Sequence, residues 1–301
     1  MSLIPFDDRD GMIWYNGSLT PWRDAKLHVL THGLHYASAV FEGERAYGGS
    51  IFKLTEHTER LFKSAEILDF KIPYTVAQID AACYDVMQAN GIVDGYVRPV
   101  AWRGSEMMGV SGQANRINVA IAAWEWPAYF SPEAKMKGLK MMISDWRRPA
   151  PNTAPTDSKA AGLYMICTLS KHKAEAAGYN DALMLDYRGY VAEATGANIF
   201  FLIDGKLHTP KPDCFLNGIT RRTAIDLAKA QGYEVIERHI EPEEMSKADE
   251  AFLTGTAVEV TPIASIGDYT FTPGAVCKKM IEAYDAEVRR PMEAARKASV
   301  G

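Results

Sequence analysis

Short runs of apolar residues interrupted by turn signals open the chain, and helical spacing follows them. In MIWYNGSL the pair Asn16-Gly17 lies between apolar runs, and such a pair supplies the positive φ of a tight hairpin turn. Gly48-Gly49 takes the same place in RAYGGSIFKL. Beyond it Leu61, Phe62, Ala65 and Leu68 recur at helical spacing. A second helix is predicted to begin at Thr75, with Gln78 three residues on as a capping box. Its apolar face is Val76, Ile79, Cys83, Val86 and Met87, and Gly91 ends it. Two β-rich runs come next, GYVRPVAW and INVAIAAW.

The pattern then breaks. EWPAYFSPEAKMKG is irregular and carries two prolines, which predicts a linker at 126–137 between an N-terminal domain at 1–125 and a C-terminal domain at 138–301. The second part resumes with a strand in LKMMISDW, a proline-rich loop RRPAPNTAPTDSK and a helix ending near Gly178. Strands DALMLDY and GYVAEATGANIFFLI are expected to join at an Arg-Gly turn. A helix from Thr220 to about Gln231 has Gly232 placed as its cap, and a last long helix starts near Pro273. Strands and helices mixed in two unequal parts predict an α/β or α+β architecture.

Composition narrows the function classes. The chain has 301 residues and a formal charge of −5, without long basic blocks, so no nucleic-acid partner is expected. The longest apolar stretch, Ile117 to Trp124, is strand-length and falls short of a membrane span. The opening MSLIPFDDRDGM has early acids and no apolar core, so it does not read as a signal peptide. Cys83, Cys167, Cys214 and Cys277 show no C-x-x-C spacing and read as reduced thiols of a cytoplasmic protein.

Several residues could carry chemistry. A Schiff-base enzyme needs a lysine drawn out of water, and Lys159 is the best-placed one: Ala160, Ala161, Gly162 and Leu163 follow it, and Pro149, Pro151 and Pro155 stiffen the loop before it. The same setting also suits a solvated lysine at a helix start. Leu216-Asn217-Gly218-Ile219-Thr220-Arg221 leads into a helix whose first N–H groups could hold a phosphate, or could form an ordinary N-terminus. Gly255-Thr256-Ala257 is a second small-residue turn. Glu193 lies among residues expected to be buried and so needs a cationic partner. His28, His32 and His35 would share one face of a helix, but no acid or cysteine close by completes a metal site, and none is expected. No G-x-G-x-x-G or Walker-type loop is present.

Together these residues resemble the branched-chain aminotransferases of the fold-type IV pyridoxal-phosphate family. The resemblance spans nearly the whole chain, in THGLHYASAVFEGER, HTERLFKSA, YVRP, WRRPAPNTAPTDSKAAGLY, GYVAEATGANIFF, FLNGITR and LTGTAVEVTPI. It implies a small N-terminal α/β domain and a larger C-terminal domain carrying the cofactor lysine. It implies pyridoxal 5′-phosphate as cofactor, bound covalently by Lys159, which also moves the proton between substrate Cα and cofactor C4′. Glu193 is implied to hold the pyridine nitrogen protonated, and Tyr164 to lie beside the phenolic oxygen. Arg60 is implied to take the phosphate, with Gly218, Ile219, Thr220 and Thr256 supplying donors.

For the substrate, the resemblance implies an apolar pocket from Tyr36, Phe41, Tyr164, Trp126 and Tyr129. Tyr96, Thr256 and Ala257 are implied at the α-carboxylate and Arg98 at the second carboxylate of glutamate, with Gly43 beside them. It implies a homodimer or higher homo-oligomer in which Tyr36 and Val110 reach the neighbouring subunit, acting on small amino and keto acids. One segment departs from the pattern: after YVRP the chain reads Val100-Ala101-Trp102-Arg103-Gly104-Ser105-Glu106-Met107-Met108-Gly109-Val110. Arg103, Glu106 and Met107 are expected to add charge and bulk near the substrate entrance. Glu106 is also a possible ion-pair partner for Arg98. Relatives of the same fold with other specificity stay open: a D-amino-acid or (R)-amine aminotransferase, or aminodeoxychorismate lyase. A cofactor-binding protein without catalysis is disfavoured by the presence of both Lys159 and Glu193.

Overall fold

A computed structural model describes residues 4–126 and 135–300, the side chains of 291–300 excepted. Tyr129 and most of the expected linker lie outside the described residues. The chain divides into two compact units, one of residues 1–127 with 158–162 and one of 128–157 with 163–301. The Lys159 segment, expected from sequence in the C-terminal part, thus packs with the first unit.

The first unit is built on a mixed-order antiparallel sheet. Its strands are β1 (Met12–Tyr15), β2 (Ser18–Pro21), β3 (Ala39–Phe41), β4 (Glu44–Tyr47), β5 (Ser50–Ile51), β6 (Gly95–Arg103) and β7 (Ile117–Glu125). They run in the order β2-β1-β7-β6-β4-β5, with β3 paired to β6. Asn16 and Gly17 take φ of 48° and 100°, which makes the β1–β2 hairpin that the dipeptide predicts. Helix α1 (His32–Tyr36) is short. Helices α2 (Leu54–Ile67) and α3 (Val76–Ala89) complete the unit. The capping box at α3 is present: Gln78 N donates to Thr75 Oγ1 and Thr75 N to Gln78 Oε1. Gly91 follows α3 in the left-handed region that a residue with Cβ enters only at a cost. Leu61, Ile79, Cys83, Val86, Val97, Val119 and Ile121 form a common buried core. Each such side chain contributes roughly 1.5–3 kcal/mol on leaving water.

The second unit holds a larger sheet of β8 (Leu139–Ile143), β9 (Asp181–Leu185), β10 (Val191–Ala194), β11 (Asn198–Ile203), β12 (Lys206–Pro210), β13 (Val235–Arg238), β14 (Ala248–Gly255), β15 (Glu259–Ile266) and β16 (Tyr269–Thr270). The order is β10-β9-β8-β15-β14-β11-β12-β13, with β16 on β15. Helix α4 (Met165–Ala176) precedes the parallel partner β9 of β8, and α5 (Ile219–Ala230) makes the crossover between parallel β12 and β13. Helix α6 (Ala275–Val300) closes the chain. Every residue of β11 is buried, as expected of an interior strand covered on both faces.

One expectation is corrected here. GYVAEATGANIFFLI is not one strand but two, because the chain turns at Thr195-Gly196 and Ala194 N donates back to Ala197 O. Strand β10 pairs with β9, whereas β11 pairs with β12 and β14. The turn leaves Glu193 one residue from the end of its strand. Among the described residues no helix is long and apolar enough to cross a membrane.

Candidate active site

In the first unit, helix α2 organises the cations. His57, Arg60 and Ser64 fall three and four residues apart and so share one face. Glu42, fully buried between β3 and β4, receives the Arg60 Nε and Nη2 at 2.7 and 2.8 Å and the His57 Nδ1 at 2.8 Å. Burial works against the Glu42 charge, but Arg60 and then His57 outweigh it and hold the carboxyl well below the usual carboxylate range. Burial likewise pushes His57 below its ordinary value despite the pull of Glu42. Nδ1, facing a carboxylate oxygen, is the donor of this pair. The edge-on pair with Glu42 fixes the direction of the Arg60 guanidinium.

The same helix holds the candidate lysine. Ser64 Oγ accepts from Lys159 N at 3.0 Å, and Ser158 Oγ donates to Ser64 O at 3.0 Å. Phe41 N donates to Lys159 O, and Val40 bridges Ala160. Lys159 thus lies on an extended segment laid antiparallel to β3, not in the first turn of a helix. Its Nζ is 4.9 Å from the centre of the Phe41 ring, and the Arg98 guanidinium carbon is 4.8 Å from the same ring. Arg98 Nη2 donates to Tyr96 Oη at 3.1 Å, as expected of two residues on one face of β6. Arg98 Nε is buried with no hydrogen-bond partner among the described residues. Tyr96 stacks on Trp124 and lies 5.1 Å from Trp126. Gly43 makes this possible: a Cβ there would come within 2.0 Å of Tyr96 Oη.

Two other substrate candidates of this unit are surface residues. Tyr36 ends α1 at 42% exposure, and Val110 is 84% exposed in the loop after β6. Arg103, the last residue of β6, is buried and donates to Gly112 O and to Asp69 O just past the end of α2. Glu106 Oε2 accepts from Arg116 N and is not the partner of Arg98. Nor do His28, His32 and His35 share a helix face, since α1 begins at His32.

One buried acid of this unit was missed in the sequence. Glu44 on β4 is fully buried, and among the described residues its carboxylate oxygens meet no N–H or O–H donor, only the weak thiol of Cys83. Burial, and then the charges of Glu42 and Asp80, push its carboxyl well above the ordinary 4.5. In the unfolded chain the same carboxyl ionises above that value, so folding must take up a proton, and stability falls as pH rises beyond it. Glu44→Leu is expected to stabilise the protein by about 1–3 kcal/mol at about pH 8, and by less at about pH 5. Thermal unfolding of both proteins at the two pH values checks this; a gain that does not change with pH contradicts it.

In the second unit a carboxylate is held at the end of β10. Glu193 Oε1 lies 3.3 Å from Arg148 Nε, and Glu193 Oε2 accepts from Asn198 Nδ2 at 3.0 Å. Burial disfavours the Arg148 charge, but Glu193 and its neighbours outweigh this and raise its pKa. Neither Arg148 nor Asn198 was singled out in the sequence; the need of a buried Glu193 for a partner was the available signal. Asn198 Nδ2 also donates to Leu216 O, which ties Glu193 to the start of α5. A Cβ at Gly218 would lie 2.3 Å from Asn198 Oδ1, so only glycine fits there. Gly218 caps α5 without any side-chain hydrogen bond, which leaves the first-turn N–H groups at Ile219 and Thr220 to an external acceptor. Arg221 is turned inward instead, onto Pro210 O and Glu237. Thr256 and Ala257 lie in the turn between β14 and β15. Tyr164 is the N-cap of α4.

The comparisons with known proteins agree with this chemistry. Residues 39–266 match the family described as amino-transferase class IV. A branched-chain-amino-acid aminotransferase of Pseudomonas aeruginosa is 44% identical over 284 residues, 92% of this chain and 92% of that protein. The crystal structure of a T.th. branched-chain amino acid aminotransferase with pyridoxamine 5′-phosphate superposes with a TM-score of 0.90 at 40% identity, covering 93% of this chain and 94% of that one. Its complex with N-(5′-phosphopyridoxyl)-L-glutamate gives a TM-score of 0.88 at 39% identity with the same coverage. The chain belongs to the class IV aminotransferase family.

Proposed function

We propose that this enzyme moves the amino group between leucine, isoleucine or valine and 2-oxoglutarate with pyridoxal 5′-phosphate as cofactor. The observation that carries this reading is the Arg98 setting: a guanidinium among Phe41, Tyr96 and Trp126 whose buried Nε has no hydrogen-bond partner among the described residues. An apolar pocket alone would reject the second carboxylate of glutamate, because an unpaired buried charge is expensive. One cation at its rim admits the longer acidic substrate and leaves the apolar one undisturbed. The relatives are named for branched-chain substrates, and one solved neighbour holds a glutamate adduct of the cofactor.

The cofactor fits the side chains present. In the second unit the uncapped start of α5 with the Gly218 cradle suits a phosphate and the Arg148–Glu193–Asn198 cluster suits a ring nitrogen; in the first unit the oriented Arg60 suits a phosphate. When bound, pyridoxal phosphate supplies a ring that delocalises the electron pair left on substrate Cα. In this reading Lys159 anchors it and carries the proton at substrate Cα. Glu193, paired with Arg148, keeps the ring nitrogen protonated, and Tyr164 serves the phenolic oxygen. Gly218, Ile219, Thr220 and Thr256 donate to the phosphate. Tyr96, Thr256 and Ala257 take the α-carboxylate. Phe41 and Trp126, with Tyr36 and Val110 of a neighbouring subunit, wall the side chain.

A homodimer is part of this proposal. It is supported by exposed apolar residues in the same region as Tyr36 and Val110, namely Val29, Leu30, Leu34, Met107 and Met108. A cytoplasmic location is part of it too, supported by four buried cysteines that are all free.

Arg98→Ala tests the dual recognition. The 2-oxoglutarate KM is expected to rise steeply, since losing a hydrogen-bonded charge partner costs about 2–5 kcal/mol, while leucine binding changes little. Steady-state kinetics with each substrate varied decides it. Equal losses for both substrates make Arg98 structural. Failure of the unmodified enzyme to use 2-oxoglutarate or glutamate moves the assignment to a D-amino-acid or (R)-amine aminotransferase.

A further inference from the structure

The loop between β6 and β7 is held from three directions. At its base, the Asn115 side chain takes the N–H of Met107 and donates to the carbonyls of Gly104 and Met107. On one flank Arg103 binds Gly112 O and the end of α2. The tip is held by His32, which is 2% exposed at the start of α1. His32 N donates to Gly104 O at 2.9 Å. Its Nε2 is 3.0 Å from Gly109 O and 3.4 Å from Val110 O. Both partners are carbonyls, so Nε2 carries a proton and donates. Among the described residues, Nδ1 is buried with no partner, so the contact through Nε2 orients the ring.

The other side of the same imidazole lies against Tyr36, with ring centres 4.6 Å apart and planes tilted by 35°. Gly112 leaves room for it: a Cβ there would come within 3.0 Å of both His32 Nε2 and Arg103 Cδ. One buried ring therefore touches both a tyrosine and the loop tip that are otherwise exposed to solvent. Nothing in this contact is required for packing alone, since a phenyl ring would fill the same space without the donor.

We propose that His32 is a positioning residue for substrate selection: it locks Tyr36 and the Val110 tip into one rigid wall and so sets the width of the apolar side-chain subsite. This rests on the reading that Tyr36 and Val110 line that subsite in a neighbouring subunit. Losing the Nε2–H donor frees the tip, and a branched side chain then meets a loose wall. The acidic substrate, held by its carboxylate at Arg98, depends on this wall much less.

The test uses the holoenzyme with His32→Phe, which keeps the stack and removes the donor, and His32→Gln, whose amide nitrogen reaches as far as Nε2. For His32→Phe the leucine KM is expected to rise about fivefold to tenfold, as for one lost ordering hydrogen bond, with kcat and the 2-oxoglutarate KM within about twofold. Amide hydrogen exchange in residues 105–111 is expected to speed up in the Phe variant alone, and Gln is expected to restore both readouts. Val110→Ala is the control for the underlying reading. If Val110→Ala raises the leucine KM and His32→Phe does not, His32 has no positioning role, while the subsite reading stands. If Val110→Ala leaves leucine unchanged, or sedimentation finds a fully active monomer, the subsite reading itself fails and the proposal with it. Equal loss for both substrates, or no rescue by Gln, also overturns it. Should the Phe variant not fold, His32→Asn, whose shorter amide cannot reach Gly109 O, takes its place with the same expectations.

Discussion

Lys159→Ala is expected to reduce transamination to background and to abolish covalent retention of the cofactor. In the proposed reading two roles are lost together, the anchoring amine and the group that moves the proton at substrate Cα. A positioned acid–base group alone accelerates a proton transfer by about 10²–10⁴-fold, and removing a residue that serves in two steps gives a larger loss than either alone. The setting of Lys159 is geometrically fixed: its backbone is held on both sides, by Ser64 Oγ and by Phe41 N, and its Nζ is directed over the Phe41 ring. Borohydride reduction of the unmodified enzyme followed by peptide mapping is expected to place the pyridoxyl group on Lys159. A label on another lysine, or an Ala variant that still turns over, removes the assignment. The main-chain contacts do not involve the lysine side chain, so the variant is expected to unfold at a temperature close to that of the unmodified protein.

Glu193→Gln is expected to slow turnover by about two to three orders of magnitude, the range of about 3–4 kcal/mol seen when an oriented electrostatic stabiliser is removed from an active site. The substitution is nearly isosteric. The amide oxygen can still accept from Arg148 or Asn198, so the fold is expected to survive and the loss to come from the charge. In the proposed reading the Glu193 charge is what would keep the ring nitrogen of a bound cofactor protonated, and the amide would not supply it. The absorbance of the bound cofactor is expected to change in the variant, and substrate KM to change much less than kcat. Near-normal turnover would mean that another acid holds the ring. Arg148 itself is buried, with the sulfur of Cys167 as well as Glu193 against it, so its removal would leave Glu193 as an uncompensated buried charge.

Of the candidate residues, those carried by the resemblance occupy coherent settings within each unit. Lys159, Phe41, Gly43, Tyr96 and Arg98 come together around one aromatic wall. Glu193 and Gly218 are joined through Asn198. The burial of Arg103 was not visible in the sequence, for a definite reason. A charge at the end of a strand is ordinarily solvated, and only the fold brings the carbonyls just past α2 and at Gly112 close enough to enclose a guanidinium. The break of one long apolar run into β10 and β11 was hidden similarly. Both halves are buried, so hydrophobicity continues across the turn, and only Gly196 marks it.

What the sequence by itself determined is the set of elements whose cause is local. The Asn16-Gly17 hairpin and the Thr75–Gln78 capping box are settled by residues a few positions apart, because the φ angles and hydrogen bonds concerned close within one turn. The motifs also carried the family. What only the tertiary structure decided is which charges meet. Glu42 lies 15 residues from His57 and 18 from Arg60, Glu44 is buried with no N–H or O–H donor among the described residues, and His32 reaches a carbonyl 77 residues away. An ion pair or a buried hydrogen bond depends on the approach of atoms within about 3–4 Å. No local propensity encodes such an approach; it follows from how strands and helices pack once the apolar faces are buried.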